Sequence, residues 1–292
     1  MALVDIVLGG TFHAAILFLV AAGLQLVFGV QKIVNLACGS FYALGAYFGI
    51  SAVAAAVGLG LPPLLFLPVL ILAGLLIGLV GLPIERILST VYRRDESYQL
   101  LLTFGLLLMF QDVFRFIWGA TPRTMDDVYM AYGTAEILGT RVPAYNLLVI
   151  AASLGLAIAL GLFLQRTKTG RIVRATAENR DMAEGLGVNA SRIFALVFTV
   201  GCMLGTVGGA LVVPSSAASL EMAVELVVES FAVVVIGGLG SMRGALVGAL
   251  IVGLMRGAAI TFMPEMELLS IYIVVVAVLI FRPAGLFGKP VT

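Results

Sequence analysis

Few residues in this chain can do chemistry, and most of them stand inside long apolar runs. His13 is the sole histidine. One imidazole cannot complete a metal site, which takes several ligands, so His13 reads as a hydrogen-bonded packing group. Cys38 and Cys202 lie deep in apolar stretches and form neither a metal spacing nor a disulfide framework. Asp112 and Arg115, spaced i,i+3, share one helix face and can neutralise each other, as a structural pair, a subunit contact or a transport group. Glu221, Glu225 and Glu229 fall at i, i+4 and i+8, so a helix there would carry an acidic stripe. Such like charges repel at a small cost. The stripe is either a solvated face or a surface that steers basic partners toward it. The phosphate-binding loop G-x-x-x-x-G-K-[ST] is absent, as are G-x-S-x-G, H-E-x-x-H and C-x-x-C.

The elements that hold these groups are membrane spans. Of 292 residues, 61% are hydrophobic and 11% charged, against about 25% charged in an average soluble domain. Mean hydropathy is +1.14. This excludes disorder, a fibrous protein and an ordinary soluble enzyme. A formal net charge of +1 gives no footprint for nucleic acid. The fold class is an all-α polytopic integral membrane protein.

Runs free of Lys, Arg, Asp and Glu cover 6–31, 33–84, 97–111, 142–165, 193–220, 230–242, 244–255 and 268–281. A helix needs roughly 20 residues to cross a hydrocarbon core of about 30 Å. The 33–84 run holds two spans, with a turn at Gly58–Pro63. Spans over 98–119 and 244–263 must tolerate Asp112 with Arg115, and Arg256. Residues 230–242 are too short for an ordinary crossing and read as a short or re-entrant segment. The total is eight or nine membrane segments.

Basic loops face the cytoplasm. The loop 166–192 holds Arg166, Lys168, Arg171, Arg174, Arg180 and Arg192, the loop 85–97 holds Arg86, Arg93 and Arg94, and the tail holds Arg282 and Lys289. The alternate loops 120–141, 214–229 and 264–267 hold eight acids against Arg123 and Arg141. Loop 166–192 and the C-terminus are therefore inside and the N-terminus outside. The first residues lack a basic region, so the first apolar run reads as a retained span.

Glycines recur at four-residue spacing: Gly240, Gly244 and Gly248, then Gly253 and Gly257; Gly201, Gly205 and Gly209; Gly74 and Gly78; Gly45 and Gly49. Such ladders let helix backbones approach in lipid, where packing rather than hydrophobic burial holds helices together. They serve packing, or the sliding of one helix on another. Gly237, Gly238 and Gly240 in the run before Ser241 are too dense for a helix interior and predict a break at membrane depth.

The loop segment 170–191, GRIVRATAENRDMAEGLGVNAS, predicts a short charged helix over 171–184, closed by Gly185 and Gly187. Ala175, Asn179, Met182, Ala183 and Leu186 share a weakly apolar face, and Arg180 pairs with Glu184. That helix either docks on a cytoplasmic partner or is a solvated loop.

Three blocks carry a family resemblance: GLQLVFGVQKIVNLACGSFYALGAY at 23–47, TGRIVRATAENRDMAEGLGVNASRIFALVFTVGCMLGTVGGAL at 169–211, and VVVIGGLGSMRGALVGALIVGL at 233–254, with FRPAGLFGK at 281–289. The chain resembles the branched-chain (hydrophobic) amino acid importer permeases of the ATP-binding-cassette class. Two departures stand out: Cys38 where relatives often have His, and Arg243 where many have Pro. Arg243 reads as a cytoplasmic-side anchor.

The resemblance implies one permease domain over 1–292 with a coupling loop at 166–192. It also implies a complex with a second permease chain of a different paralogue, two cytoplasmic ATPases and an external solute-binding protein, in a bacterial cytoplasmic (inner) membrane. ATP is then used by the partners, and this chain binds no cofactor or metal. By the same carry-over Arg174, Glu178, Asn179, Ala183 and Gly187 dock on an ATPase. Glu221, Glu225 and Glu229 are candidates for meeting the binding protein. Asn35, Cys38, Ser40, Gly237, Gly238 and Gly240 are candidates for the path of the solute. The substrate class is branched-chain or other small hydrophobic amino acids, with urea, amides or aromatic acids as the alternative. An ion-coupled carrier would need charges at span centres, which look almost absent, and a membrane enzyme would need a nucleophile–base or metal cluster.

Overall fold

A computed structural model describes residues 2–33, 35–91, 94–137 and 139–288. Arg93 and Lys289, counted above among the inner bases, lie outside the described residues. Among the described residues, eight helices are long and apolar enough to cross a membrane. The first two are α1 (Ala2–Gln31) and α2 (Cys38–Gly58). The third crossing is a rod from Pro63 to Val91 that contains α3 (Phe66–Ile77) and α4 (Gly81–Leu88), joined through a 3-10 turn at Gly78–Val80. There the Thr206 hydroxyl donates to the Gly74 carbonyl at 2.7 Å, and a side chain inserted into a helix ladder tightens or bends it.

The chain continues as α5 (Glu96–Trp118), a short α6 (Asp126–Ala131), and an antiparallel hairpin of β1 (Thr134–Ile137) and β2 (Thr140–Pro143). Next come α7 (Ala144–Arg166), α8 (Lys168–Glu178), α9 (Arg180–Gly185) and α10 (Ala190–Val212). The last helices are α11 (Met222–Gly237), α12 (Met242–Phe262) and α13 (Glu267–Phe281).

At 16 residues, α11 is about 24 Å long, too short for an unaided crossing. Placing the N-terminus outside and the C-terminus inside requires an odd number of crossings. The eight long helices and α11 together satisfy that parity. The short segment starts earlier than the charge-free run suggested, because Glu225 and Glu229 lie within the helix.

The hub is α10, surrounded by α1, α2 and α3. The glycine ladders build this packing. A Cβ on Gly23 would stand 2.6 Å from the Gly201 carbonyl oxygen, and one on Gly74 2.7 Å from the Val207 Cα. Gly45 faces the Thr206 backbone, Gly209 the Tyr42 carbonyl, and Gly253 lies against Gly10 and Ala14 of α1. One ladder dissolves at its start: Gly240 lies outside α12, with open space around it. Phe41 fills the space between α2, α5 and α10, edge-on to Phe198 at 5.9 Å and tilted to Phe110 at 5.7 Å. Arg123 and Ala218 exchange two backbone hydrogen bonds (3.0 and 2.8 Å) that tie the α5–α6 and α10–α11 loops together.

Candidate functional site

The segment 166–192, expected on the cytoplasmic side, forms two helices rather than one. Asn179 adopts an extended conformation (φ −150°, ψ 104°) and breaks the expected run. Its Oδ1 accepts the Met182 N–H at 2.9 Å, capping α9. Asparagine competes for its own backbone in this way, which favours caps over helix interiors. Thr167 caps α8 likewise, accepting from Gly170 N–H at 2.9 Å. Gly187, at φ +86°, closes α9. The Val188 N–H reaches back to the Ala183 carbonyl at 3.1 Å, a helix stop that a left-handed glycine makes cheap.

Between the two helices lies a groove lined by Lys168, Arg171, Ile172, Ala175, Ala183, Leu186 and Val188. Met182 and Leu186 stand 65% and 82% exposed. Arg174, Glu178, Asn179 and Gly187 are also exposed, while Ala183 is buried and forms floor rather than rim. Ala183 therefore leaves the expected outward face, because the break at Asn179 turns α9 about it. The expected Arg180–Glu184 pair is present at 2.9 Å, and the Arg180 guanidinium lies over the Phe194 ring of α10 at 5.0 Å.

The glycine-rich break sits at the C-terminal end of α11. Gln25 of α1, 2% exposed, grips it from both sides: its amide Nε2 donates to the Gly238 carbonyl at 2.9 Å, and its Oε1 accepts the Gly240 N–H at 2.5 Å. Gly238 adopts φ +94°. Gly237 lies directly on the Gly244 backbone. The chain returning after α13 covers the remaining carbonyls, Leu286 N–H donating to Ile236 at 2.9 Å and Phe287 N–H to Gly237 at 3.1 Å. The backbone at Gly237 and Gly238 is thus enclosed by protein, while Leu239 and Gly240 are exposed. Arg243 is exposed at the inner end of α12.

Asn35 and Cys38 line a small cavity with Val27, Phe41 and Cys202, among α1, α2 and α10. Asn35 Oδ1 accepts the Ala37 N–H at 3.0 Å, and the Cys38 sulfur lies 3.9 Å from Ser230 Oγ. Ser40 is fully buried and its hydroxyl makes no hydrogen bond with the described residues. These residues form one group, and Gly237, Gly238 and Gly240 another at the inner turn.

The acidic stripe does not exist as one outer surface. Glu229 is 5% exposed and faces inward from α11. Its Oε1 lies 2.5 Å from Arg256 Nη1 of α12, and its Oε2 lies 3.4 Å from His13 Nε2 of α1. Arg256 also contacts His13 and binds Glu267 of α13, with Nη2 2.5 Å and Nε 2.6 Å from Oε1. Glu229 therefore cannot meet an external protein, since α1 and α12 cover it. Burying a carboxylate costs several kcal/mol unless it is paired and hydrogen-bonded, and these contacts supply the pairing. His13 is a hydrogen-bonding member of the cluster. Asp112 and Arg115, by contrast, are exposed on α5 and form no ion pair with each other or with other described residues. The spans are thus less empty of charge than counting suggested. Arg256 and Glu229 were each visible, but nothing in their spacing announced that α11 and α12 bring them together.

The model of the family described as branched-chain amino acid transport system / permease component matches residues 6–279. The chain belongs to this family. It is 26% identical over 280 residues to the high-affinity branched-chain amino acid transport system permease protein BraD of Pseudomonas aeruginosa, covering 93% of this chain and 91% of the relative. To the permease protein LivH of Salmonella typhimurium it is 25% identical, over 98% and 94% of the two chains. A probable LivH of the archaeon Methanocaldococcus jannaschii is 25% identical, over 96% and 91%. As a permease of this family the chain is a multi-pass membrane component of a transport system. In such a permease, Gln25 and the ion cluster are the two polar devices that the sequence reading missed. One fastens the inner end of α11, the other its middle.

Proposed function

We propose that this permease is one of two transmembrane chains of an ATP-driven importer. It takes branched-chain or other small hydrophobic amino acids from an external solute-binding protein and passes them across a bacterial cytoplasmic membrane. The observation that carries this reading is the paired α8–α9 groove. Ile172, Met182 and Leu186 are exposed beside Lys168 and Arg171, on the inner side, directly between two spans. The chain has no phosphate-binding loop, so work must arrive through contact. Two cytoplasmic ATPases would press on this groove, with Arg174, Glu178, Asn179 and Gly187 around it and Ala183 beneath. Their closure on ATP would switch the spans between outward- and inward-facing states. Glu221 and Glu225, exposed at the outer end of α11, are the acids left to meet the binding protein.

The path of the solute is assigned to the two groups bracketing α11: Asn35, Cys38 and Ser40 beside it, and Gly237, Gly238 and Gly240 at its inner turn. A small apolar solute needs few polar contacts, and backbone at a helix break provides them. The test is purification from the native membrane followed by reconstitution. Co-purifying ATPases, and leucine uptake that stops when ATP is withdrawn, support the importer. Uptake driven by an ion gradient in vesicles holding this chain alone overturns it.

A further inference from the structure

His13 of α1, Glu229 of α11, Arg256 of α12 and Glu267 of α13 meet in one cluster, and two claims fall on one of its atoms. His13 Nε2 lies 3.4 Å from Glu229 Oε2 and also contacts Arg256 Nη1. A ring nitrogen has one in-plane position, filled by a lone pair or by a proton. A guanidinium only donates, and an ionised carboxylate only accepts. Nε2 therefore bonds Arg256 when it is bare and Glu229 when it carries a proton. It cannot serve both.

Charge follows the same choice. Glu229, Glu267 and Arg256 together carry one net negative charge. A proton on His13 neutralises the set and places a second cation against Arg256. The guanidinium then retreats toward Glu267, whose Oε1 it already meets through Nη2 and Nε. The other titratable groups beside the cluster are Tyr42 of α2 and Glu225 of α11, within electrostatic reach of each other. Neither is a base. Of the other helices against α1, α7 brings Tyr145, whose hydroxyl is spent on the Leu211 carbonyl. Arg192 of α10 lies at the far end of α1, where Gln31 bonds the Phe194 carbonyl. Arg166 of α7 and the charges of α8 follow at that same end, because Tyr145 starts α7 where α10 finishes.

We propose that His13 is a proton-operated latch on α11, the helix bracketed by the proposed solute path. Bare, the ring ties α1 to α12 through Arg256. Protonated, it ties α1 to α11 through Glu229 and sends Arg256 onto Glu267 of α13. Imidazole is the side chain that changes charge between about pH 5 and pH 8. The His13 side chain keeps 23% of its surface accessible, so the ring is not sealed from proton exchange. Acidity thus decides which helix α1 holds.

His13 is the only histidine of the chain. The full chain, made with 15N-labelled histidine, purified on a tag without histidine and placed in lipid nanodiscs, therefore gives one imidazole to read. Long-range proton–nitrogen correlation reports which ring nitrogen is protonated. At about pH 8, Nε2 should be bare and Nδ1 protonated; at about pH 5, both should be protonated. The Nε2 proton of the acid form should lie downfield through its bond to the carboxylate, and Glu229→Gln should remove that downfield shift. Arg256→Met should let the Nε2–H tautomer appear at the upper pH. A native ring that already carries its proton on Nε2 at the upper pH, or one whose protonation does not change across the range, overturns the latch.

A second arm rests on the importer reading. ATP-dependent leucine uptake by the full assembly should differ severalfold between the two pH values. His13→Gln, which accepts from Arg256 and donates to Glu229 at once, should flatten that difference. An equal pH ratio in the native assembly and the variant overturns the control of transport. An assembly that takes up no leucine at either pH removes the importer reading and leaves the latch to the imidazole signals, which do not depend on it.

Discussion

Arg256 of α12 lies 2.5 Å from Glu229 of α11, on the same guanidinium that holds Glu267 of α13. One side chain therefore joins three helices in the outer half of the molecule. Breaking a buried pair from one side leaves an uncompensated charge, at a cost of about 3–5 kcal/mol. Arg256→Met should accordingly lower the thermal midpoint of the detergent-solubilised protein sharply. The double variant Glu229→Met with Arg256→Met should recover most of that loss. Equal midpoints for the native protein and the single variant would show that the cluster does not hold the helices.

At the inner end of α11, Gln25→Leu keeps the volume but removes both hydrogen bonds to the glycine turn. The orphaned Gly238 carbonyl is buried and costs about 1–3 kcal/mol, while Gly240 is exposed and its N–H turns to solvent. The amide of Gly240 should then exchange with deuterated solvent at least tenfold faster, while amides in the middle of α10 keep their protection. An unaltered exchange rate at Gly240 would mean that the turn needs no clamp.

The exposed rim of the α8–α9 groove makes no internal contribution that its exposure reveals. Leu186→Asp, and separately Glu178→Arg, should change the stability by no more than about 0.5 kcal/mol, as surface changes do. Both should reduce co-purification of ATPase subunits and ATP-dependent uptake. Intact co-purification in both variants would remove the docking assignment.

Gly187 tests backbone rather than contact. At φ +86°, Gly187→Ala should cost about 1 kcal/mol and Gly187→Asn less, because asparagine tolerates the left-handed region. Helix stability in this segment, followed by hydrogen exchange of the Val188 amide, should rank Gly, Asn, Ala. If alanine matched glycine, the turn would not depend on that conformation.

Close helix packing should fail in a graded way. A Cβ on Gly201 meets the Val27 side chain at 2.8 Å, whereas one on Gly205 meets only ordinary contacts from 3.6 Å outward. Gly201→Ala should therefore destabilise the protein more than Gly205→Ala, by about 1–3 kcal/mol of overpacking cost. The reverse order in thermal unfolding would contradict the assigned α1–α10 interface.

Spans and the glycine packing were legible because each depends on local composition: a run of apolar residues, a four-residue glycine spacing. The turn at Gly237–Ser241 was legible for the same reason. What escaped depends on residues far apart in the chain. Glu229 belonged to a regular acidic spacing with Glu221 and Glu225. Only the packing of α11 against α1 and α12 turns it inward, onto His13 and Arg256. Gln25 gave no signal at all, since its two bonds reach residues over 200 positions away. The break at Asn179 was readable in principle. Its residue type favours a cap, and the surrounding helix formers masked it.

The two backbone hydrogen bonds that fasten Leu286 and Phe287 to Ile236 and Gly237 also set an order of assembly. The ribosome makes the acceptors fifty residues before the donors. During synthesis the inner turn of α11 thus enters the bilayer with two carbonyls waiting, held on one side by Gln25 alone. The architecture around that turn can close only after α12 and α13 have inserted and the chain has folded back beneath them, so its last step belongs to a nearly finished polypeptide.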